Sequence, residues 1–203
     1  MKRWIFLFVL FFVTQASAQE TSRVFLLDDF EGEITTGPEG TVDTGTENGS
    51  TVEVSADTQN KISGEQSLKI VYDAVTNGDI WVGRGYQLSA KSAGQWTRIP
   101  EEVGWEQYGA ISFWILGEGK GTSIAFDIKD AKGRTFRFML TDDHKIWKQV
   151  VCPFDQFEPD AGQGVSAPEE NVPVFPLLSF RFKPMAIARG AIDVDAVSLE
   201  PLN

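Results

Sequence analysis

One histidine and one cysteine limit the chemistry this chain can perform. His144 lies in Thr141-Asp142-Asp143-His144-Lys145, a polar turn, and no G-x-S-x-G segment supplies a nucleophile for Ser/His/Asp catalysis. Cys152, between Val151 and Pro153, reads as a small buried hydrophobe, and as the only cysteine it permits no intramolecular disulfide. A glycosidase needs two carboxyls flanking a bond. With 29 Asp and Glu, carboxyl pairs arise by chance, and no motif nominates one. The expectation is a protein without catalytic activity.

Binding chemistry is better supplied. A pyranose offers C–H faces to aromatic rings and hydroxyls to Arg, Asp, Asn and Gln, so a sugar site joins an apolar platform to a few directed polar groups. Trp81, Arg84 and Tyr86 share one Gly-broken segment, Asp127 and Arg137 fall on adjacent segments, and Arg181 sits between Phe180 and Phe182. These six are the candidate ligand-binding residues. Trp96 and Trp105, in the segment before Tyr108, form a reserve platform, while Trp114 and Trp147 are expected to be at least partly structural.

The elements that must position these groups are strands. No segment carries a convincing 3.6-residue period with caps, whereas short apolar-alternating runs recur between Gly, Asp, Asn and Pro. Strands are expected at 24–27, 51–54, 67–72, 80–86, 109–116, 123–129, 134–140, 147–154, 178–183 and 191–199, with long loops at 34–49, 90–107 and 155–173. Such spacing points to an all-β sandwich. The segments 109–116, 123–129 and 134–140, joined by Gly-rich turns, read as a three-stranded meander. Alternation puts Ile111, Phe113, Ile115, Ile124, Phe126, Ile128, Phe136, Phe138 and Leu140 in the core, and Ser112, Trp114, Asp127, Lys129, Arg137 and Met139 outward.

The first eighteen residues are expected to be removed. Lys2 and Arg3, the apolar run Trp4–Val13 and Ala16-Ser17-Ala18 match a bacterial secretory signal cut before Gln19. The apolar run is too short to span a ~30 Å hydrocarbon layer comfortably. No cysteine follows to take a lipoprotein anchor, and no later segment is apolar enough to insert in a membrane. Residues 19–203 form one domain, and losing Lys2 and Arg3 takes the net charge from −11 to −13. That field repels nucleic acid and anionic membranes and disfavours acidic polysaccharides, leaving neutral glycans.

Several segments carry a family pattern. Asp28-Asp29-Phe30-Glu31-Gly32 resembles the opening of many carbohydrate-binding sandwiches, and Ser63–Ile70 matches their "G-x-x-S-L-K-hydrophobic" strand entry. Tyr108–Gly119 resembles the "Y-x-x-L-S-F-W" strand of family-11 carbohydrate-binding modules. Trp147–Phe157 resembles their "W-K-x-V-x-hydrophobic-P-F-x-x-F" strand, and Ile192–Leu199 their closing "I-D-D" strand, here with Asp193-Val194-Asp195 in place of adjacent aspartates. Complex I intermediate-associated proteins share the sheet pattern. The resemblance implies a jelly roll of the galactose-binding-domain type. It also implies a secreted or periplasmic, non-catalytic module for a neutral, β-glucan-like polysaccharide. The alternative is an envelope sandwich used for structural or protein contacts, and a glycan-degrading or envelope protein partner stays open. Sandwiches of this type often hold structural Ca²⁺ where the first strand, the "G-x-x-S-L-K" turn and the last strand meet. Asp29, Glu31, Gly64 and Asp195 occupy those positions here.

Overall fold

The computed structural model describes residues 23–160, 172–185 and 187–202; the signal segment and its cleavage site lie outside them. The described residues form twelve strands: β1 (Phe25–Asp28), β2 (Asp43–Thr46), β3 (Thr51–Asp57), β4 (Ser67–Ala74), β5 (Ile80–Gly85), β6 (Tyr108–Leu116), β7 (Thr122–Lys129), β8 (Thr135–Asp142), β9 (Lys148–Pro153), β10 (Glu158–Pro159), β11 (Ser179–Pro184) and β12 (Ala188–Pro201). Three single-turn 3-10 helices are the only helical elements among them. No helix among the described residues is long and apolar enough to cross a membrane.

Two antiparallel sheets pack face to face. The first has the order β3-β4-β12-β6-β9, with β1 also paired to β12; the second runs β10-β8-β7-β11-β5-β2. β12 is long enough to pair with β4 through its first half and with β1 near its end. Between these, a bulge at Ala196, whose φ is 49°, shifts the register against β6. The inward residues of both sheets form one core. Phe113 of β6 meets Phe126 and Phe182 of the second sheet at ring distances of 4.6 and 5.0 Å.

The all-β sandwich and most strands stand as expected, and seven of the nine expected core residues are buried, with Phe138 and Leu140 half-buried against the core. The meander is corrected. β6 belongs to the first sheet, and only β7 and β8 form a hairpin, in the second. The turn at 117–121 crosses between sheets, held by the Asp142 carboxylate, which accepts from the Glu118 and Gly119 amides at 3.1 and 3.0 Å. Alternation identifies the buried face of each strand but not the sheet that owns it. Ser112 and Trp114 therefore face away from Asp127, Lys129, Arg137 and Met139, on opposite sides of the molecule.

Two expected loops also change. The stretch 34–49 contains β2, the edge strand beside β5. The 90–107 segment packs as part of the core. Trp96 stacks on Phe180 at 6.0 Å, and Trp105 stacks on Phe175 at 5.5 Å while its indole N–H donates to the Pro100 carbonyl. Both indoles are buried, which removes the reserve platform.

Candidate functional site

The outward face of the second sheet carries one continuous row of side chains. In register across six strands run Asp43, Gly83, Arg181, Asp127, Arg137 and Glu158. At ~4.8 Å between strands this row is roughly 24 Å wide. Asp127 takes two bonds from Arg137, through Nε and Nη2, both at 2.7 Å, and Arg137 reaches Asp160 at 3.0 Å. The Asp127 hydrogen bond holds the Arg137 guanidinium pKa above its usual value. Most of the donors expected of Arg137 are thus committed to carboxylates.

Two glycines shape the other half of the row. A Cβ at Gly45 would fall 1.8 Å from the Trp81 ring, so that indole lies flat across β2. Asp43 accepts its N–H at 3.2 Å. A Cβ at Gly83 would meet the Arg181 stem at 2.8 Å, so Arg181 lies over β5, its guanidinium 5.9 Å from the Trp81 ring centre. The one bond Arg181 makes among the described residues, Nη2 to Asp43, is long at 3.4 Å. Its Nε is buried with no acceptor among the described residues. A depression of about 250 Å³ opens beside it, lined by Asp127, Lys129, Thr135, Ser179 and Arg181 among others.

Four of the six candidates, Trp81, Asp127, Arg137 and Arg181, therefore meet on one face. Arg84 does not. Three residues along β5 from Trp81, it points inward and is buried, with Nε and Nη2 donating to Asp28 at 2.9 and 3.0 Å and Nη1 to the Thr41 carbonyl. Burial pushes the Asp28 carboxyl pKa up against the pull of Arg84. This pair ties β1 of the first sheet to β5 of the second. Tyr86 lies beyond the strand, packed edge-on to Trp96 at 5.7 Å. Asp43 was missed because its segment read as loop; it is buried and also accepts the Ser89 and Ala90 amides, both at 3.1 Å. The β5 glycines were the available signal for a flat-lying neighbour.

The proposed calcium residues converge only in part. Asp195 accepts the Ile62 and Ser63 amides at 2.7 and 3.0 Å, and Glu31 accepts those of Glu65 and Gln66 at 2.8 and 3.3 Å, so both carboxylates hold one loop around Gly64. Gly64 has φ 58° and a Cβ there would strike Glu31, which explains the glycine. Asp29 accepts the Glu31 amide at 3.1 Å. Asp195 Oδ1 is buried without a partner among the described residues, the kind of oxygen a hard cation takes. Among the described residues no group of three His, Cys, Asp or Glu is placed to hold a metal, so backbone carbonyls would have to complete the coordination. His144 contacts the Asp143 carboxylate and the Ile115 carbonyl.

The outward sheet face thus carries an indole, guanidinium groups and carboxylates on a jelly-roll sandwich. The family model for the carbohydrate binding domain (family 11) matches residues 14–199, and the chain belongs to that family. A family 11 module from Clostridium thermocellum, solved with a β-1,3-1,4-mixed-linked tetrasaccharide, is similar at 20% identity and TM-score 0.61, covering 88% of this chain and 95% of that one. The family 11 module of the Clostridium thermocellum cellulosomal cellulase Lic26A-Cel5E is similar at 18% identity and TM-score 0.60, over 89% and 95%. A β-1,2-glucanase from Parabacteroides distasonis matches at 14% identity and TM-score 0.57, over 89% of this chain but 25% of that one. No curated protein matches the sequence significantly.

Proposed function

We propose that this chain is a secreted or periplasmic, non-catalytic module that binds a neutral β-glucan on the outward face of its second sheet. The observation that carries the reading is the Arg181 guanidinium, over a third exposed and held among the described residues by one long hydrogen bond, beside the Trp81 ring. A ring face and an uncommitted donor together suit a pyranose, whose C–H face stacks while a hydroxyl accepts. The net charge of −11 favours a neutral ligand over an anionic one. The mixed-linkage tetrasaccharide of the family 11 relative supports a β-glucan. The signal motif supports export. The match to the family 11 carbohydrate binding domain supports a role without catalysis.

A structural calcium ion bridging Glu31, Asp195 and backbone carbonyls of the Gly64 loop belongs to the same proposal, supported by the orphan Asp195 oxygen. It would pin the loop to the last strand without touching the sugar.

Affinity electrophoresis tests the main reading. Migration should be retarded in gels carrying mixed-linkage β-glucan, and Trp81→Ala should restore free migration. No retardation by glucan, xylan or mannan would sink it.

A further inference from the structure

The opposite side of the molecule holds a second concavity, and it differs in chemistry. At the outward face of the first sheet, a groove of about 570 Å³ is lined by Ala110, Val151, Asp155, Val172, Glu200 and Leu202, among others. Its rings offer no open platform: Phe154 is buried, Phe175 is stacked on Trp105, and Tyr108 packs on Phe25. The exposed lining is aliphatic, with Val151, Val172 and Leu202 exposed at 46%, 52% and 61%. Directly paired residues of antiparallel strands share a face. The row Leu26, Ser198, Ser112, Val151 therefore crosses β1, β12, β6 and β9 on the outward side, and exposed aliphatic side chains stand at both of its ends. A carboxylate lies between them. Glu200 Oε1 accepts Ser112 Oγ at 2.5 Å and Gln149 Nε2 at 3.1 Å, which holds the acid over that row. Its other oxygen has no partner among the described residues. Asp155 adds a second acid, and among the described residues no lysine or arginine lines the groove.

We propose that this surface docks an extended segment of a partner protein in which a lysine or arginine stands between two aliphatic residues, each two positions away. Charge and spacing select that occupant. Three strand spacings separate Val151 from Leu26, roughly 14 Å at ~4.8 Å each. An extended segment turns alternate side chains to one side and covers roughly 13 Å from i to i+4. Aliphatic residues at i and i+4 then meet Val151 and Leu26, and the cation at i+2 falls over the Ser112–Glu200 pair, which straddles the midpoint of the row. The cation donates to Glu200, and the flanking side chains cover surface that is otherwise wet. A neutral sugar finds no free ring face here, and an anion meets two carboxylates. A second copy related by two-fold symmetry brings acids toward their own mates, on a chain of net charge −11. The inference uses no residue of the first face and does not depend on sugar binding. Such a contact would tether the module to a basic partner and leave the second sheet open.

Amide NMR of the purified protein during titration with the capped peptide Val-Thr-Lys-Thr-Val tests this. Signals of Leu26, Val151 and Leu202 should move to saturation in the wild type and equally in Trp81→Ala. Glu200→Gln should weaken that response about tenfold, the loss of one charged hydrogen bond. Val151→Lys, at an exposed position where the fold tolerates it, should abolish the response. Raising salt from about 50 to 500 mM should weaken it, since an ion pair at the surface is screened. Val-Thr-Glu-Thr-Val and Gly-Thr-Lys-Thr-Gly should leave the three signals still. Silence with the lysine peptide, or full affinity in Val151→Lys, overturns the proposal. An equal response to Gly-Thr-Lys-Thr-Gly overturns it too, as bare attraction to an acidic chain. So does movement of these signals with the glutamate peptide or with a mixed-linkage β-glucan tetrasaccharide, or on concentrating the protein alone, which would assign the surface to a second copy. The tetrasaccharide read at Arg181 tests the main reading separately, so either can fail while the other stands.

Discussion

Arg84 and Arg181 sit on neighbouring strands of one sheet and face opposite ways, and they have been put to opposite uses. Arg84 is buried, and its donors are matched by both oxygens of Asp28 and by the Thr41 carbonyl. Arg181 is over a third exposed and, among the described residues, makes one long bond and keeps a buried Nε without an acceptor. A guanidinium whose donors are satisfied inside a core fixes how two sheets meet. One that is partly exposed and loosely held beside a ring is free to meet a ligand, as proposed above. Arg137 lies between these extremes, outward but committed to Asp127 and Asp160.

The largest effect is expected at Arg84. Arg84→Met leaves Asp28 buried without its partner, a loss of about 3–5 kcal/mol, read as a lower urea midpoint with sugar contacts intact. The double variant Arg84→Met/Asp28→Leu should recover most of it. A single variant within about 1 kcal/mol of wild type would mean the pair does not join the sheets. Metal removal comes next. If calcium bridges Glu31 and Asp195, EDTA lowers stability by roughly 2.7 kcal/mol for an ion at a hundred times its Kd, without moving glycan affinity at low temperature. An unchanged Tm with no metal in the purified protein counts against the bridge.

A smaller effect should appear at Asp57. The Asn60 amide, then Lys69 and the Gln59 amide, hold its carboxyl well below the usual range. A carboxyl depressed in the folded state adds stability that is present above about pH 4 and lost as pH falls through the folded value. Asp57→Asn should therefore destabilise by on the order of 1 kcal/mol at neutral pH, with the gap to wild type closing in acid. A gap that widens on acidification would refute the assignment.

Much of this was legible in the sequence. Alternation in 109–116, 123–129 and 134–136 named the central core residues correctly, because burial of one strand face is a local property of period two. Sheet membership was not legible: the 117–121 turn has the composition of a hairpin, yet Asp142, distant in sequence, directs it across the sandwich. Four outward residues were found, but Arg84 was grouped with Trp81 although their odd spacing of three places them on opposite faces. Asp43 was invisible because its strand, Asp-Thr-Gly-Thr, has the composition of a loop. Trp96 and Trp105 were read as exposed because their segment lacks periodicity, whereas the stacking partners that bury them come from residues some seventy to eighty positions later.

On the proposed sugar face, Arg181 and not Arg137 is the residue expected to donate to a neutral sugar beside Trp81. Calorimetric titration of mixed-linkage β-glucan tetrasaccharide into wild type, Arg181→Ala and Arg137→Ala tests it in one series. Binding should weaken about tenfold in Arg181→Ala and clearly less in Arg137→Ala, both unaffected by raising salt from about 50 to 500 mM. Full affinity in Arg181→Ala, or binding that collapses with salt, would contradict it.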